Sequence, residues 1–309
     1  RSLLLSLNRY YFSNMELEHE EKVEDHVLKR YRLVEKVGSG SYGHVWKAIC
    51  QATKQTVALK KIFDAFRNVK DAQRTYREIS ILRKLQHHPN LVRLLEVIPA
   101  RNDRDIYLIF DYMECDLYSV MREHLLKVPH VRFVVAQVTQ ALQFLHECEI
   151  VHRDLKPANI LINSDCRIKL CDFGLSRFLS IRNGEQLNMT EFVATRWYRS
   201  PEIIFGSRQY SKETDMWSFG CILGEILADR PMFNGKTVLE QLEKIMMFLG
   251  PPNSDDLAAL KCDKPSDLLQ NVKVKKMPSS YWFKEASLDA VDLVYRLLKY
   301  NPNQRLTAK

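Results

Sequence analysis

The chain has 309 residues, of which 46% are hydrophobic, and its 46 lysines and arginines outnumber its 38 acidic residues to give a net charge of +8. This length can bury a substantial core. No apolar run is long enough to cross a bilayer or to serve as the core of a secretory signal. The charge would suit nucleic acid, but no aromatic residues interleave a basic patch and no known nucleic-acid motif is present. The composition therefore favours a basic enzyme that handles phosphate.

Seven cysteines are scattered along the chain without CxxC spacing. An odd number of scattered cysteines argues against a disulfide framework and against a zinc site. The pattern predicts a protein of a reducing compartment, which we expect to be the cytoplasm or the nucleus.

The first third of the chain has the pattern of a small β-rich unit. We expect residues 1–30 to be a leader outside the fold, partly disordered or of artificial origin. Turn signals at Gly38–Gly43 and Cys50–Gln55 divide the alternating pattern that follows the leader. The predicted elements are strands within residues 31–62, a helix over 70–85, and strands at Leu91–Val97 and Ile106–Phe110.

Helical periodicity dominates after Asp111–Asp116, which we interpret as a connector. Apolar residues at helical spacing lie in the segments Val134–Leu145, Ile222–Leu227, Leu239–Leu249 and Leu288–Leu298. The sequence therefore predicts an α+β fold. Its small β-rich lobe would span residues 31–113, and its larger helical lobe residues 114–309.

The first stretch with chemical meaning is Val37–Val45, which reads VGSGSYGHV and contains Gly38, Gly40 and Gly43. Without Cβ atoms, these glycines let a strand–turn–strand backbone close over phosphates. The same glycines also suit an ordinary hairpin, and this stretch alone does not decide between the two interpretations.

A lysine ends the apolar strand pattern Val57–Lys60. A solvated edge residue is usual there, but Lys60 could instead reach the α- and β-phosphates of a nucleotide. Glu78, in the next predicted helix, could hold that lysine in place, although a surface ion pair would give the same pattern. We expect Lys60 and Glu78 to form a salt bridge.

Two further motifs follow in order, HRDLKPAN at His152–Asn159 and CDFG at Cys171–Gly174. Asp154 can accept the proton of a substrate hydroxyl, and Lys156 can neutralise charge on a transferred phosphoryl group. Asn159 and Asp172 offer the hard oxygen ligands that Mg²⁺ prefers. Each acid alone could be an ordinary loop carboxylate, whereas the ordered set is highly specific.

With these motifs the chain resembles the eukaryotic protein kinases over residues 31–309. Within them it is similar to the mitogen-activated protein kinases, and most similar to their atypical, self-activating branch. This second resemblance is carried by Val193–Arg199, Asp111–Leu117, Phe233–Lys236, Gly250–Pro252, Phe110 and Ser287–Ala308. It implies a bilobal kinase fold, truncated at its C-terminal end, that transfers the γ-phosphate of ATP, with Mg²⁺, to serine or threonine of proteins.

The resemblance also implies an ATP site. The implied ATP-binding residues are Val37, Gly38, Ser39, Gly40, Ser41, Tyr42, Gly43, His44, Val45, Ala58, Lys60, Phe110, Asp111, Met113, Asp116 and Leu161. Adenine would lie between Val37, Val45, Ala58 and Leu161. Phe110 would narrow the space behind it. Backbone groups of Asp111 and Met113 would bind the adenine edge, and Asp116 would bind the ribose.

Control by one phosphate is a further implication of the resemblance. Phosphate on Thr190 would bind three arginines, Arg77, Arg153 and Arg177. Phe192 stands where relatives have a second phosphorylated residue, so that only one phosphate is expected in this loop. Glu202 would form a buried ion pair with Arg305.

Two more sets of residues receive roles from the resemblance. Arg196 and Arg199 would shape a wall that favours proline after the target serine or threonine. His152, Phe173 and Leu82 would stack in one column, whose base Asp215 would anchor.

Two alternatives to an active kinase of this branch stay open. A pseudokinase scaffold is disfavoured by the complete catalytic set, and a cyclin-dependent-type kinase is disfavoured by Thr75–Ile79 and by the ATRWYR run. We expect a monomer that acts on proteins with Ser/Thr-Pro sites and has no nucleic-acid or membrane partner.

Overall fold

The computed structural model describes residues 23–40, 43–85, 88–179, 196–207, 210–261 and 274–309. The chain divides into two compact units. The first contains the described residues up to Cys115 together with Leu161–Gly174, and the second contains Asp116–Ile160 together with Leu175–Lys309. The first unit is β-rich and the second is helical, so the predicted α+β class is confirmed.

The strands, in chain order, are β1 (Tyr31–Gly40), β2 (Gly43–Cys50), β3 (Thr56–Ile62), β4 (Leu94–Pro99), β5 (Ile106–Asp111), β6 (Cys115–Asp116), β7 (Ile150–Val151), β8 (Ile160–Ile162), β9 (Ile168–Leu170) and β10 (Arg177–Phe178). The helices are α1 (Asp25–Leu28), α2 (Val69–Lys84), α3 (Leu117–Arg122), α4 (Val128–Glu147), α5 (Pro201–Ile204), α6 (Lys212–Ala228), α7 (Val238–Leu249), α8 (Ser254–Ala259), α9 (Ser279–Trp282) and α10 (Leu288–Leu297). Single 3-10 turns lie at Pro157–Asn159, Phe173–Leu175, Arg196–Tyr198 and Pro302–Gln304.

The first unit is built on an antiparallel sheet with strand order β1-β2-β3-β5-β4. Alternate side chains of the strands enter one core, which includes Ala48, Leu59, Tyr107 and Ile109. The α2 helix begins at Val69 and is capped by Asn68, whose side chain accepts a hydrogen bond from the backbone N–H of Asp71. This helix therefore starts one residue before the predicted range of 70–85.

The leader predicted over residues 1–30 is too long. Asp25–Leu28 forms α1, and Val23 and Val27 are buried in the same core as Tyr31. Burying these apolar side chains against the sheet stabilises the segment, so the fold of the first unit includes residues from Val23 onward.

The strand predicted at Leu91–Val97 is displaced. Leu91 instead forms an isolated parallel bridge with Leu170, and β4 begins at Leu94. The partner of Leu91 lies far along the chain in Leu161–Gly174, so a local pattern could not reveal the pairing.

The second unit is organised around α6, which is buried along most of its length. Helix α10 packs closely against it: a Cβ added at Gly220 would lie 2.9 Å from Leu297 Cβ. A cluster of aromatic side chains fills the space near one end of α6; it consists of Trp217, Phe233, Phe248, Trp282 and Tyr295. The helical segments predicted from periodicity all lie within α4, α6, α7 and α10, apart from Leu298, which follows the end of α10.

Across the part of the chain that the structure describes, no helix combines the length and the apolar character needed to span a membrane.

Candidate active site

Lys60 and Glu78 form an ion pair within the first unit. Lys60 lies on β3 and Glu78 on α2, and the lysine Nζ is 3.0 Å from Oε1 and 3.3 Å from Oε2 of the glutamate. Burial alone would lower the pKa of Lys60, but the negative charges of Glu78 and Asp172 outweigh it and raise the pKa. Because Glu78 is buried, the pair is not the ordinary surface pair that the pattern also allowed.

The glycine stretch forms the end of the β1–β2 ribbon. Gly38 pairs with Val45, Ser39 with His44, and Gly40 with Gly43, whereas Ser41 and Tyr42 lie outside the described residues. Gly43 has φ 150°, and a Cβ there would lie only 1.9 Å from the backbone oxygen of Lys61 on β3. Glycine is therefore required at this position by the close approach of two strands.

The residues expected around adenine occupy neighbouring strands. Ala58 of β3 pairs with Phe110 of β5, and Met113 follows that strand in a buried position. Asp111 is held twice, because its carboxylate accepts a hydrogen bond from Arg93 N at 2.8 Å and lies 2.7 Å from Lys169 Nζ. The side chain of Asp111 is thus engaged, and its backbone N–H donates to the Arg93 oxygen at 3.2 Å. The expected contact with adenine therefore stays a prediction for the backbone carbonyl of Asp111.

Asp116 also caps a helix, a structural role that the sequence analysis did not assign to it. Its carboxylate accepts a hydrogen bond from Ser119 N at 2.8 Å and so caps α3. Its expected contact with ribose stays a prediction.

Asp154, Lys156 and Asn159 form one cluster in the second unit. Lys156 Nζ lies 2.8 Å from Asp154 Oδ2, and Asn159 Nδ2 donates to the same oxygen at 3.0 Å and to the backbone oxygen of Asp154 at 2.8 Å. Among the described residues, both side-chain contacts are to Oδ2, so Oδ1 is the carboxylate oxygen left to accept a proton. Because the nitrogen of Asn159 is engaged, its amide oxygen is the atom left for a cation.

Asp215 anchors the loop that carries this cluster. Its fully buried carboxylate accepts hydrogen bonds from the backbone N–H groups of His152 and Arg153, at 2.8 and 2.9 Å, and lies 3.1 Å from His146 Nε2. Burial would raise the pKa of Asp215, but the contact with His146 and these other interactions outweigh burial and lower the pKa. The φ of 70° at Arg153 shows how sharply the backbone turns around this carboxylate.

Asp172 lies in the first unit and is contacted by a residue that the sequence did not single out. Arg74 Nη2, on α2, is 3.3 and 3.4 Å from the two carboxylate oxygens. On the same helix, Arg77 Nη1 donates to the backbone oxygen of Gly174 at 3.0 Å. The CDFG motif is therefore held by two arginines of α2.

The ion pair and Asp172 of the first unit, and the Asp154 cluster of the second, are the kinds of groups that phosphoryl transfer uses. Comparison with known proteins also points to phosphoryl transfer. The family model of the protein kinase domain matches residues 31–309. This chain belongs to the protein kinase family.

The curated relatives that this kinase matches are named as extracellular signal-regulated kinases or as mitogen-activated protein kinases. It is 47% identical over 293 residues to Extracellular signal-regulated kinase 2 of Dictyostelium discoideum, covering 94% of this chain and 79% of the relative. It is 46% identical to Mitogen-activated protein kinase 15 of Xenopus laevis, covering 93% of this chain and 50% of the relative. It is 46% identical to Extracellular signal-regulated kinase 7 of Drosophila melanogaster, covering 94% of this chain and 32% of the relative. The chain thus spans half or less of the length of the last two relatives, and the resemblance to this branch is confirmed.

The arginines expected to bind phosphate in this kinase hold backbone carbonyls. Arg153 Nη1 and Arg177 Nη1 both donate to the oxygen of Leu175, each at 3.2 Å, and the Arg153 guanidinium stacks 3.7 Å from the ring centre of Tyr210. Arg153 and Arg177 are thus brought together in the second unit, while Arg77 belongs to the first. Thr190 and Phe192 lie outside the described residues, so a phosphate-binding role stays a prediction.

The expected pair between Glu202 and Arg305 is present and buried. Arg305 Nη1 and Nη2 donate to the two carboxylate oxygens at 2.8 and 2.6 Å in a bidentate arrangement. In the column predicted for this kinase, Leu82 and Phe173 are buried in the first unit and His152 in the second. Because these three residues belong to different units, their stacking stays a prediction.

Three contacts of this kinase site were not predicted from the sequence. They are the Asp111–Lys169 pair, the Asp172–Arg74 pair and the cap at Asp116. The cap had a local signal, an aspartate three residues before Ser119 at the start of a helix. The two ion pairs join residues 58 and 98 positions apart, and no spacing rule connects such residues.

Proposed function

We propose that this protein is a serine/threonine kinase that transfers the γ-phosphate of ATP, bound with Mg²⁺, to protein substrates in which proline follows the target residue. The observation that carries the proposal is the cluster of Asp154, Lys156 and Asn159, in which one carboxylate oxygen is left to accept a proton. Kinase chemistry rests on positioning and charge stabilisation, which such a cluster supplies.

The residues of each unit fit a magnesium-bound nucleotide. Asn159 and Asp172 provide an amide oxygen and a carboxylate, the hard oxygen ligands that suit Mg²⁺. When bound, ATP would supply the transferable phosphoryl group, and the metal would neutralise part of its negative charge. Lys60, held by Glu78, offers a fixed cation for nucleotide phosphates.

In the proposed reaction each residue of the second-unit cluster has its own task. Asp154 accepts the proton of the substrate hydroxyl at Oδ1, while Asn159 and Lys156 keep Oδ2 in place. The cation of Lys156 also stabilises the negative charge of the transferred group.

Preference for proline is supported by Arg199. Its pKa is lowered mainly by burial, while the charges of Tyr210 and Asp154 act in the opposite direction. We propose that this half-buried arginine forms a wall beside the substrate residue that follows the target hydroxyl, together with Arg196, whose Nη1 donates to the backbone oxygen of Lys236.

Matched peptides test this proposal. Purified protein is incubated with magnesium and labelled ATP, and with a Ser-Pro peptide or the same peptide carrying Ser-Ala. We expect kcat/KM to be about 10- to 200-fold higher for the Ser-Pro peptide, the range that one pocket contact provides, and Lys60→Met to transfer little label. Equal rates on the two peptides would reject the proline preference, and no magnesium-dependent transfer to either peptide would reject the kinase assignment.

We further propose that phosphate on Thr190 activates the kinase and that the kinase adds it to itself. A phosphothreonine brings about −1.5 to −2 charges, and Arg77, Arg153 and Arg177 are the cations proposed to receive it. Intact mass with and without ATP, followed by peptide mapping, tests this. Thr190→Ala should lose most activity, and Phe192→Tyr should add a second site without being required. Full activity of Thr190→Ala would reject the proposal.

The proposed setting of the protein is a monomer in the cytoplasm or the nucleus, with neither nucleic acid nor membrane as a partner. The six cysteines that the structure describes are all free thiols, which suits a reducing compartment. Size-exclusion chromatography with light scattering and microscopy of a tagged protein test the two parts of this statement.

A further inference from the structure

The arginine that contacts Asp172 has no assigned role in the proposed reaction. Arg74 precedes Glu78 by one helical turn on α2, so that both side chains leave the same face of the helix. Its Nη2 atom is within 3.4 Å of both carboxylate oxygens of Asp172. About a third of the arginine side chain and a quarter of the aspartate side chain are exposed.

A second observation fixes the position of this arginine. A Cβ added at Gly174 would lie 2.7 Å from Arg74 Nε and 2.8 Å from its Cγ. The arginine side chain therefore extends along the backbone from Asp172 to Gly174, and glycine leaves it the space to do so. Arg77 holds the carbonyl of that same glycine.

The backbone at Asp172 limits where its carboxylate can point. Its φ is 60°, in the left-handed region that aspartate tolerates better than most residues. With the backbone fixed in this way and Arg74 placed against both oxygens, the carboxylate has a permanent positive neighbour. Arginine stays protonated in proteins, so pH cannot remove this charge.

A divalent cation at Asp172 would have to approach the same oxygens against that charge. We propose that Arg74 is a built-in counter-ion of Asp172: it orients the carboxylate, weakens its hold on the metal, and so sets how much magnesium the kinase requires. The proposal rests on the proposed function, in which Asp172 is a metal ligand. Arg74 is thus a positioning residue, since it acts through Asp172.

Metal binding can be measured without turnover. Mn²⁺ is titrated into the protein with ADP, and free Mn²⁺ is followed by electron paramagnetic resonance. Arg74→Met removes the charge and keeps most of the stem, Arg74→Lys keeps a charge, and Arg83→Met removes an exposed charge from the last turn of the same helix. Asp172→Asn removes the proposed ligand.

We expect the half-saturating Mn²⁺ concentration to fall about three- to tenfold in Arg74→Met, because partly exposed charge pairs are weak but the ion carries two charges. Arg74→Lys should show a smaller decrease, and Arg83→Met should match the wild type. The magnesium dependence of peptide phosphorylation should shift in parallel. Thermal unfolding of each variant verifies that it is folded. If Arg74→Met does not fold, Arg74→Lys still tests the proposal.

Two results would contradict the inference in distinguishable ways. If Asp172→Asn abolishes Mn²⁺ binding but Arg74→Met binds as the wild type does, or more weakly, the counter-ion role is wrong and the proposed function stands. If the wild type shows no Mn²⁺ binding that depends on Asp172, the metal assignment fails and the inference fails with it.

Discussion

Arg305 is a buried arginine that binds one carboxylate and three backbone carbonyl groups. It is buried with Glu202 and also donates hydrogen bonds to the backbone oxygens of Lys299, Tyr300 and Glu213. Arg305→Met should destabilise the protein by about 3–5 kcal/mol, because it leaves a buried carboxylate without its counter-ion. Urea unfolding measures this loss.

Arg296 offers a matched control for that prediction. It pairs with Asp292 at 3.7 Å on the surface of α10, and both side chains are more than half exposed. Arg296→Met should cost less than about 0.5 kcal/mol, as exposed pairs at this helical spacing do. Similar losses of unfolding free energy in the two variants would show that burial does not increase the contribution of the Glu202–Arg305 pair to stability.

At the level of elements, the β1–β2 ribbon depends on one glycine. Gly43→Ala would force a Cβ against the Lys61 carbonyl, and the strained φ alone costs about 1–3 kcal/mol. We expect a lower melting temperature and weaker ADP binding by calorimetry, because β2, which carries the end of the glycine stretch, must move away from β3.

The neighbouring Gly40 provides the control for this element. Among the described residues, no atom lies within 4 Å of a Cβ added there, so Gly40→Ala should leave the melting temperature unchanged or slightly raised. If Gly43→Ala is as stable as Gly40→Ala, the close approach of β2 and β3 does not constrain this position.

A second element-scale feature is the buried polar cluster that ties the segment after β3 to the β4–β5 turn. Asp105 accepts hydrogen bonds from Asp64 N and Asn102 Nδ2, both at 2.9 Å, and lies 3.3 Å from Lys61 Nζ. Burial would raise the pKa of Asp105, but these interactions outweigh it and lower the pKa.

The lowered pKa gives this cluster a defined pH dependence. The stabilisation by Asp105 is fully present above the unfolded pKa of about 3.9 and is lost as the pH falls through the lower folded value. Asp105→Asn should therefore cost about 1–3 kcal/mol at pH 7, and its difference from the wild type should shrink below pH 4. Unfolding by urea at a series of pH values measures this.

Asp103 lies in the same turn, is exposed, and serves as the control. Asp103→Asn should follow the wild type across the pH range. A difference between Asp105→Asn and the wild type that stays constant down to pH 3 would contradict the assigned ionisation.

Elements whose signal is local were predictable from the sequence. Helix α2 has apolar residues at helical spacing, an Asn68 cap and basic residues in its last turn, and its predicted range differs by one residue at each end. The displaced strand at Leu91 and the α1 segment were not predictable, because their burial depends on residues that the sequence pattern does not connect. The same holds for the site. The pairing of Lys60 with Glu78 was predictable from a motif and from helical periodicity, whereas the contacts of Arg74 and Lys169 join residues that only the folded chain brings together.

At the scale of the whole molecule, two units carry complementary halves of kinase chemistry. The first holds a fixed lysine and the proposed metal-binding Asp172, and the second holds the proposed base Asp154. The motifs were recognisable in the sequence, but their division between the units was not predicted. The expected larger lobe of residues 114–309 included Asp172 together with Asp154, whereas Leu161–Gly174 belongs to the first unit. How substrate is chosen depends on surface contacts that no motif encodes.

The central claim is that Asp154 is the base of a phosphoryl transfer. It is tested most directly by the rate of phosphate transfer from magnesium ATP to a Ser-Pro peptide, measured for the wild type and for Asp154→Asn, with ADP binding by calorimetry as the control. We predict that the wild type transfers phosphate and that the variant is about 10²- to 10⁴-fold slower while binding ADP as the wild type does. A variant that keeps the wild-type rate, or that loses ADP binding in proportion to its activity, would contradict this account.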